Sequence, residues 1–297
     1  MSYIFTETQK DEIIKKRGYE HYSKILKDIG IYSQKWELSD ITFATTSPHN
    51  IILFCKSKMY GECVLKLYGL MWEYNALHEY RNSNKFCMVF EFDTETRAML
   101  IERIIPGTML KNESSLERRM SVFSELFYGL HIKPKHPENF FSYPKWVCDR
   151  TEAMKAFEDN TKLYVYALKA KEVFSEMSSV YDKEILLHWD LANENVLLGK
   201  DGMYKIIDPM GFVGDPVLDI GRFILKEYWD TDSNKRKETV DNIINYFEVK
   251  LRIPKKIIRQ CFYIDTIFLN CHMAEIGGTA DIEIMEFADI VLNDNRN

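Results

Sequence analysis

Three carboxylates and one asparagine stand at the edges of apolar runs within residues 185–221. These residues are Asp190, Asn195, Asp208 and Asp219. The pattern is that of a strand, a loop, a strand, a turn and a strand, with the acids at the loop edges. A buried acid needs a compensating charge, and a divalent cation is one candidate. A single acid at a strand end is more often a turn or cap residue, so the argument depends on spacing.

The spacing is that of a phosphoryl-transfer loop. His188, Asp190 and Asn195 form the series H-x-D-x-x-x-x-N, in which a carboxylate beside the acceptor hydroxyl precedes an asparagine that binds metal. Asp208 follows thirteen residues after Asn195, beyond a hairpin turn. A second metal ligand belongs at that position.

A lysine lies inside an earlier apolar run. Lys66 is flanked by Cys63-Val64-Leu65 and Leu67, and a charge in the middle of a strand needs a partner. Glu73 at the start of the next predicted helix is favoured, and Glu79 is the competing partner. The segment 101–104 follows, where an extended hinge would offer the Glu102 carbonyl and the Ile104 amide to an adenine edge.

The elements that carry these residues change character along the chain. The first 104 residues predict a helix over 6–29 and a small, mostly antiparallel sheet that carries one helix. After Pro106-Gly107 the chain is mainly helical, which suggests two lobes facing across a cleft. The proline-rich segment 131–146, with His131 and His136, is predicted to be a surface loop. The strands are predicted at 35–44, 51–55, 62–68, 86–92 and 98–102, and the helices at 70–81, 113–130, 151–160, 161–182, 216–229, 235–250, 254–275 and 281–292.

Composition excludes several classes of protein. The net charge of −6 and the pI of about 5.7 argue against a nucleic-acid partner. The six cysteines form no C-x-x-C pair, so buried free thiols in a reducing compartment are expected. The early charges and the lack of a long apolar run predict a soluble, cytoplasmic protein without a membrane partner. Residues 255–297 hold seven acids against four Lys/Arg. We interpret them as an exposed helix face, and carboxylates that bind a cationic substrate are the alternative.

The motifs resemble those of the aminoglycoside phosphotransferase family. LLHWDLANENVL, IIDPMGFVGDPVLDIGRFI and LIERIIPGTML carry the resemblance, which is nearest to the streptomycin-kinase or hydroxyurea-kinase branch and covers about residues 60–230. It implies an α+β, bilobal, protein-kinase-like fold. The expected N-lobe, residues 1–103, is a nucleotide-binding sheet with one helix and an N-terminal helical extension. The expected C-lobe, residues 104–297, is helical and holds the catalytic loop and substrate-binding helices.

The resemblance also implies roles for individual residues. Asp190 corresponds to the catalytic base, and Asn195 and Asp208 correspond to the Mg²⁺ ligands. Lys66 corresponds to the phosphate-binding lysine and Glu73 to its orienting partner, with Glu102 and Ile104 as the nucleotide-binding hinge. His188 and Asp219 are expected to support the catalytic loop. Trp189 is interpreted as a packing residue, with substrate stacking as the alternative.

Two positions depart from the family pattern. Many members have a second histidine where this chain has Ala192. No glycine lies between Gly30 and Gly61, although glycine lets a loop approach phosphate closely. Either the turn at 45–50 covers the phosphates without glycine, or this loop contributes little to phosphate binding.

The resulting hypothesis is a small-molecule kinase that uses ATP or GTP and Mg²⁺. The acceptor hydroxyl would belong to an aminoglycoside such as streptomycin, and a sugar, nucleoside or amino-alcohol metabolite fits equally well. A non-catalytic nucleotide-binding pseudokinase is the alternative from another class. A protein kinase is disfavoured because no A-P-E-like anchor follows Asp208. A monomer or weak dimer is expected.

Overall fold

The structure is a computed structural model that describes residues 5–47, 50–156 and 161–294. The chain separates into two compact units. The first extends to Gly107 and includes Leu198–Lys205, and the second comprises Thr108–Leu197 and the residues from Ile206 onward. The sequence-based boundary at 103/104 differs in two respects, because the division falls after Gly107 and the turn at 198–205 belongs to the first unit.

The first unit contains a five-stranded antiparallel sheet in the order β1-β2-β3-β5-β4. Its strands are β1 Leu38–Thr46, β2 Ile51–Ser57, β3 Gly61–Leu67, β4 Val89–Asp93 and β5 Ala98–Glu102. Helix α3, Met71–Glu79, connects β3 to the second half of the sheet. The strand predicted at 86–92 begins later, at Val89, and Phe86 instead stacks on Tyr80 with ring centroids 4.0 Å apart.

Two helices cover one face of this sheet. They are α1, Glu7–Arg17, and α2, Tyr19–Lys35. Ile13, Ile25 and Tyr32 from these helices share a buried core with Leu53 and Leu65 of the sheet. Successive strand residues point to opposite faces, so Lys66 lies on the other face, opposite Ile52 of β2 and Met99 of β5.

The single helix predicted at 6–29 is wrong. Gly18 separates α1 from α2 with φ of 86°, a backbone conformation that L-residues rarely adopt. Gly30, expected to end the helix, lies within α2. The packing of Ile29 and Tyr32 against the sheet outweighs the weak helix preference of one glycine, which is about 1 kcal/mol.

The second unit is mainly helical. Its helices are α4 Leu116–Phe127, α5 Tyr143–Lys155, α6 Thr161–Ser178, α7 Ile220–Asp230, α8 Arg236–Leu251, α9 Lys255–Glu275 and α10 Ile282–Leu292. Helix α9 contacts α5, α6, α7, α8 and α10, so it forms the centre of this unit. Among the described residues, no helix is both long and apolar enough to cross a membrane.

Short strands complete the structure. They are β6 Pro106–Met109, β7 Phe141–Ser142, β8 Ile185–Leu187, β9 Val196–Gly199, β10 Tyr204–Ile206 and β11 Phe212–Gly214. Strands β7, β11 and β8 form a three-stranded sheet in that order within the second unit. Strands β6, β9 and β10 each carry residues assigned to both units.

The predicted loop at 131–146 is wrong for its last residues. Phe141 pairs with Phe212 of β11, and α5 begins at Tyr143. The hydroxyl of Ser142 accepts a hydrogen bond from the Lys145 amide and so caps the helix. Amides in the first turn of a helix have no partner within the helix, so the missing amide of Pro144 costs no hydrogen bond there. This proline is therefore part of a helix start and does not mark a loop.

The close packing of α7 on α9 makes a testable prediction. A Cβ at Gly221 would lie 2.5 Å from the Cys261 carbonyl oxygen, whereas a Cβ at Gly30 meets nothing within 4 Å. We expect Gly221→Ala to lower the free energy of unfolding by about 1–3 kcal/mol through overpacking. Gly30→Ala, the matched control, should raise it by up to about 1 kcal/mol. Urea unfolding measures both, and equal stability of the two variants would contradict this account of the helix crossing.

Candidate active site

The loop between β8 and β9 holds the predicted catalytic residues in the second unit. The fully buried Asp219 carboxylate accepts hydrogen bonds from the amides of His188, at 2.9 Å, and Trp189, at 2.6 Å. Trp189 has φ of 68°, a value that costs a non-glycine residue energy and is often found at functional sites. Asp219 therefore holds the strained turn that carries Asp190.

His188 is a buried member of the same loop. Its Nε2 lies 2.9 Å from the Ile207 carbonyl oxygen, so this nitrogen donates a proton. Burial lowers the pKa of His188 against the attraction of the nearby acids. His188 is therefore a neutral imidazole, and its hydrogen bond to Ile207 joins the loop to the segment before Asp208.

His131 is an unforeseen member of this cluster. Its Nε2 lies 2.9 Å from Asp219 Oδ2, the oxygen that also accepts the His188 amide, and its side chain is only 7% exposed. The expected surface position of His131 is therefore wrong. The partner lies 88 residues away in sequence, and no local pattern connects the two.

Asn195 contacts Asp190 directly. The Asn195 Nδ2 donates to Asp190 Oδ2 at 3.1 Å and to the Asp190 carbonyl oxygen at 2.9 Å. The Asn195 carbonyl accepts the Ile207 amide at 2.9 Å, and Asp208 is the next residue along the chain. The predicted base, Asp190, and the first predicted metal ligand, Asn195, are therefore in contact. The second predicted ligand, Asp208, follows Ile207, whose amide is bonded to Asn195.

The donor set fits a magnesium ion. The Asn195 Oδ1 and the Asp208 carboxylate are oxygen ligands of the kind that Mg²⁺ prefers. Asp208 has φ of 57°, a second strained position next to the loop. Among the residues described, no group of three or more His, Cys, Asp or Glu side chains could hold a metal. An ion held by Asn195 and Asp208 would take its other ligands from phosphate and water.

Arg222 of α7 is a site residue that sequence reasoning missed. Its NH1 lies 2.5 Å from Asp190 Oδ1, while its Nε and NH2 lie 2.9 and 3.1 Å from the two oxygens of Asp265. Burial is the largest single influence on Asp190 and opposes its ionisation, but the combined attraction of Arg222, His188 and Lys226 outweighs burial and lowers the pKa of Asp190. Asp265 is buried in α9, so the interpretation of its segment as an exposed face is wrong at this residue.

Trp189 packs inside the second unit. Its ring stacks on Phe212 with centroids 4.7 Å apart and an interplanar angle of 13°, and it meets Trp146 edge to face at 5.4 Å. The Arg222 guanidinium lies 5.0 Å from its centroid. These contacts favour the packing interpretation over substrate stacking.

The first unit contains the predicted lysine–glutamate pair. Lys66 Nζ lies 2.7 Å from Glu73 Oε1, and the two side chains are 3% and 4% exposed. Glu73, in the first turn of α3, therefore pairs with Lys66 as favoured over Glu79. A buried lysine in this geometry is held in one orientation by its charged partner.

The predicted hinge borders a pocket of the first unit. Glu102 and Ile104 line a pocket of about 380 Å³, and Tyr60, Phe90 and Lys205 are among its other residues. The Glu102 carboxylate is bound by Lys205 Nζ at 2.6 and 2.8 Å. Lys66 and Glu73 do not line this pocket.

The turn at 45–50 is held from outside the sheet. Pro48 and His49 lie outside the described residues. The Ser47 amide donates to the Asn50 carbonyl at 3.0 Å, and the Asn50 amide donates to the Ser47 hydroxyl at 3.1 Å, so both amides are used within the turn. From α1, Lys16 donates to the Thr46 carbonyl at 2.8 Å and Arg17 to the Ser47 carbonyl at 3.2 Å.

The five buried cysteines and the exposed Cys148 are free thiols in the structure. This agrees with the expectation of mostly buried, unpaired cysteines.

Comparisons with solved structures confirm the expected fold. A choline kinase from Streptococcus pneumoniae has a TM-score of 0.68 and 14% identity, over 92% of this chain and 99% of that one. An aminoglycoside phosphotransferase solved with ADP and hygromycin B has a TM-score of 0.63 and 13% identity, over 90% and 98% of the two chains. At such low identity the likeness concerns the fold, which is the protein-kinase-like α+β fold.

Comparisons of sequence address the family. Streptomycin 6-kinase from Streptomyces griseus is 28% identical over 138 residues, which are 44% of this chain and 43% of that enzyme. The match thus spans less than half the length of this relative. The family model for aminoglycoside/hydroxyurea antibiotic resistance kinases matches residues 74–277, and this range contains Asp190, Asn195, Asp208 and Asp219. The chain therefore belongs to the aminoglycoside/hydroxyurea antibiotic resistance kinase family.

Proposed function

We propose that this protein transfers the γ-phosphoryl group of ATP or GTP to a hydroxyl group of a small molecule. The observation that carries the proposal is the contact of Asp190 with Asn195. Strands β9 and β10 follow this loop and lead to Asp208, and the chain belongs to a kinase family. Phosphoryl transfer asks little covalent chemistry of the protein, so positioning and charge stabilisation are its main contributions.

Each residue has one task in the proposed reaction. The acceptor oxygen forms a bond to the γ-phosphorus while the bond from phosphorus to the bridging oxygen of the nucleoside diphosphate breaks. The proton of the acceptor hydroxyl passes to the Asp190 carboxylate. Lys66, oriented by Glu73, binds the phosphates. Glu102 and Ile104 offer main-chain groups to the base, and His188 and Asp219 hold the loop.

Asn195 and Asp208 would hold the magnesium ion. An ion bound there would supply positive charge next to the phosphate oxygens. Its affinity depends on the oxygen atoms of both residues, because the protein supplies few other ligands.

This role of Asp208 makes a prediction about metal dependence. We expect Asp208→Ala to weaken Mg²⁺-dependent nucleotide binding by at least about tenfold, the scale of loss at altered metal sites. Asp182→Ala, which removes an exposed acid of the same unit, should leave binding unchanged. Titrating Mg²⁺ at fixed nucleotide and following a fluorescent ADP analogue measures the effect. Equal Mg²⁺ dependence of the two variants would remove Asp208 from the metal site.

Two classes of acceptor have support from relatives. The sequence match to a streptomycin 6-kinase favours an aminoglycoside such as streptomycin. The fold match to choline kinases keeps an amino-alcohol metabolite as the second candidate. A pseudokinase is the remaining alternative, supported by the glycine-free turn at 45–50.

A transfer screen separates these proposals. The purified protein would be incubated with ATP or GTP, Mg²⁺ and one of streptomycin, hygromycin B, spectinomycin, hydroxyurea, choline or ethanolamine. Phosphorus NMR then detects a new phosphate ester. A product with an aminoglycoside supports the first acceptor class, and a product with an amino alcohol supports the second. Nucleotide binding without transfer to any hydroxylated compound would overturn the kinase proposal in favour of the pseudokinase.

A further inference from the structure

We infer that Arg222 is a positioning residue for phosphoryl transfer, which fixes the Asp190 carboxylate while Asp265 fixes Arg222; the inference rests on the proposed function. Arg222 lies near the start of α7 and is only 4% exposed. It is placed between one acid of the catalytic loop and one acid of α9.

The Arg222–Asp265 pair sets the orientation of the guanidinium group. Two parallel N–H···O contacts, at 2.9 and 3.1 Å, form the bidentate geometry that only arginine supplies. The planar group therefore cannot turn without losing one of them. Its remaining nitrogen, NH1, then points at Asp190 Oδ1 from a distance of 2.5 Å.

Asp190 is held at both of its carboxylate oxygens. Arg222 contacts Oδ1, and the Asn195 amide donates to Oδ2 at 3.1 Å. A carboxylate bonded at both oxygens has one favoured rotation about its last bond. The side chain is still 32% exposed, so this fixed carboxylate remains open to an incoming hydroxyl.

Helix packing explains how Arg222 and Asp265 meet. At Gly221 the two helices lie so close that an added Cβ would come within 2.7 Å of the Asp265 Cβ. The close approach brings the neighbouring Arg222 to Asp265 across the interface. The Trp189 ring lies 5.0 Å from the guanidinium carbon, which places the arginine beside the residue preceding Asp190.

The two contacts of Arg222 have different roles. The bidentate bond to Asp265 already satisfies the buried charge of Arg222. The contact with Asp190 is an addition that burial of Arg222 does not require. A displacement of about 1 Å at a reacting group can cost 10²-fold in rate. The contact with Arg222 would therefore act on the rate by keeping the Asp190 carboxylate in place.

The experiment compares Arg222→Lys with a matched control. Lysine keeps the positive charge but cannot bind two oxygens of Asp265 and one of Asp190 in a single plane. We expect kcat to fall about 10²-fold, with the KM for nucleotide near its wild-type value. The melting temperature should fall, because lysine cannot keep both contacts with the buried Asp265. Arg150→Lys is the control, because Arg150 also pairs with an acid of α9, Glu275. It should leave kcat unchanged.

A second measurement does not depend on turnover. In a crystal structure of Arg222→Met, the Asp190 carboxylate should adopt a second rotamer or split between two. If that variant does not fold, the structure of Arg222→Lys serves in its place. An unchanged Asp190 rotamer, or a wild-type kcat in Arg222→Lys, would overturn the positioning role. Absence of transfer by the wild-type protein would instead overturn the proposed function, and the rotamer would still decide whether Arg222 orients Asp190.

Discussion

Replacing Asp190 by alanine is expected to abolish phosphoryl transfer while nucleotide binding survives. Loss of a positioned general base lowers the rate by about 10²–10⁴-fold, and Asp190 makes no contact that the nucleotide phosphates need in the proposed mechanism. The fold should persist because Arg222 keeps its bidentate partner Asp265 at 2.9 and 3.1 Å. Steady-state turnover and the dissociation constant for ADP measure the two halves of this prediction.

The control for Asp190→Ala is Glu194→Ala. Glu194 lies on the same loop and pairs with Lys111 and Lys226 at 3.4 and 3.5 Å, with 28% of its side chain exposed. Removal of such a surface pair changes stability by less than about 1 kcal/mol, and the rate should stay near that of the wild type. Full activity in Asp190→Ala would remove Asp190 from the role of base, and loss of nucleotide binding would make it a binding residue.

The second large effect concerns the buried pair of the first unit. Lys66→Met leaves the Glu73 carboxylate buried beside an apolar side chain, and removal of one member of a buried ion pair costs about 3–5 kcal/mol. The double variant Lys66→Met/Glu73→Leu replaces both charges and should recover most of that loss. Both variants lack the ammonium group proposed to bind phosphate, so nucleotide binding should be lost in each.

An exposed ion pair of the same unit provides the control for the Lys66 variants. Lys35 and Asp93 of the same unit lie 2.6 Å apart, but the lysine side chain is 50% exposed. Lys35→Met should therefore leave both the free energy of unfolding and the nucleotide affinity near their wild-type values. Urea unfolding and ADP titration provide the data. If Lys66→Met/Glu73→Leu binds nucleotide with wild-type affinity, the Lys66–Glu73 pair has only a structural role.

Much of the fold was predictable, because strand and helix patterns are local. Lys66 lies in β3 opposite Ile52 of β2, and both residues fall within the strands predicted at 62–68 and 51–55. The failures occurred where packing outweighed local preference. Gly30 lies inside α2, and Pro144 lies in the first turn of α5, although both residue types often end elements.

The loop from His188 to Asn195 and the acids that follow it could be recognised in the sequence because chemistry requires fixed spacing within a short segment. The Asp190–Asn195 contact spans only five residues. By itself the sequence determined the reaction class to expect, the candidate base and metal ligands, and the need of Lys66 for an acidic partner.

Only the tertiary structure decided what holds those groups. Arg222 reaches Asp190 across 32 residues, and Asp265 is 43 residues beyond Arg222. Likewise, α1 reaches the turn after β1 across 30 residues. Residues so far apart in the chain meet only when helices and strands pack, and no periodicity within either segment records its partner. The sequence therefore predicted the reacting groups, and only the packing of α7 on α9 brought Arg222 into contact with both Asp190 and Asp265.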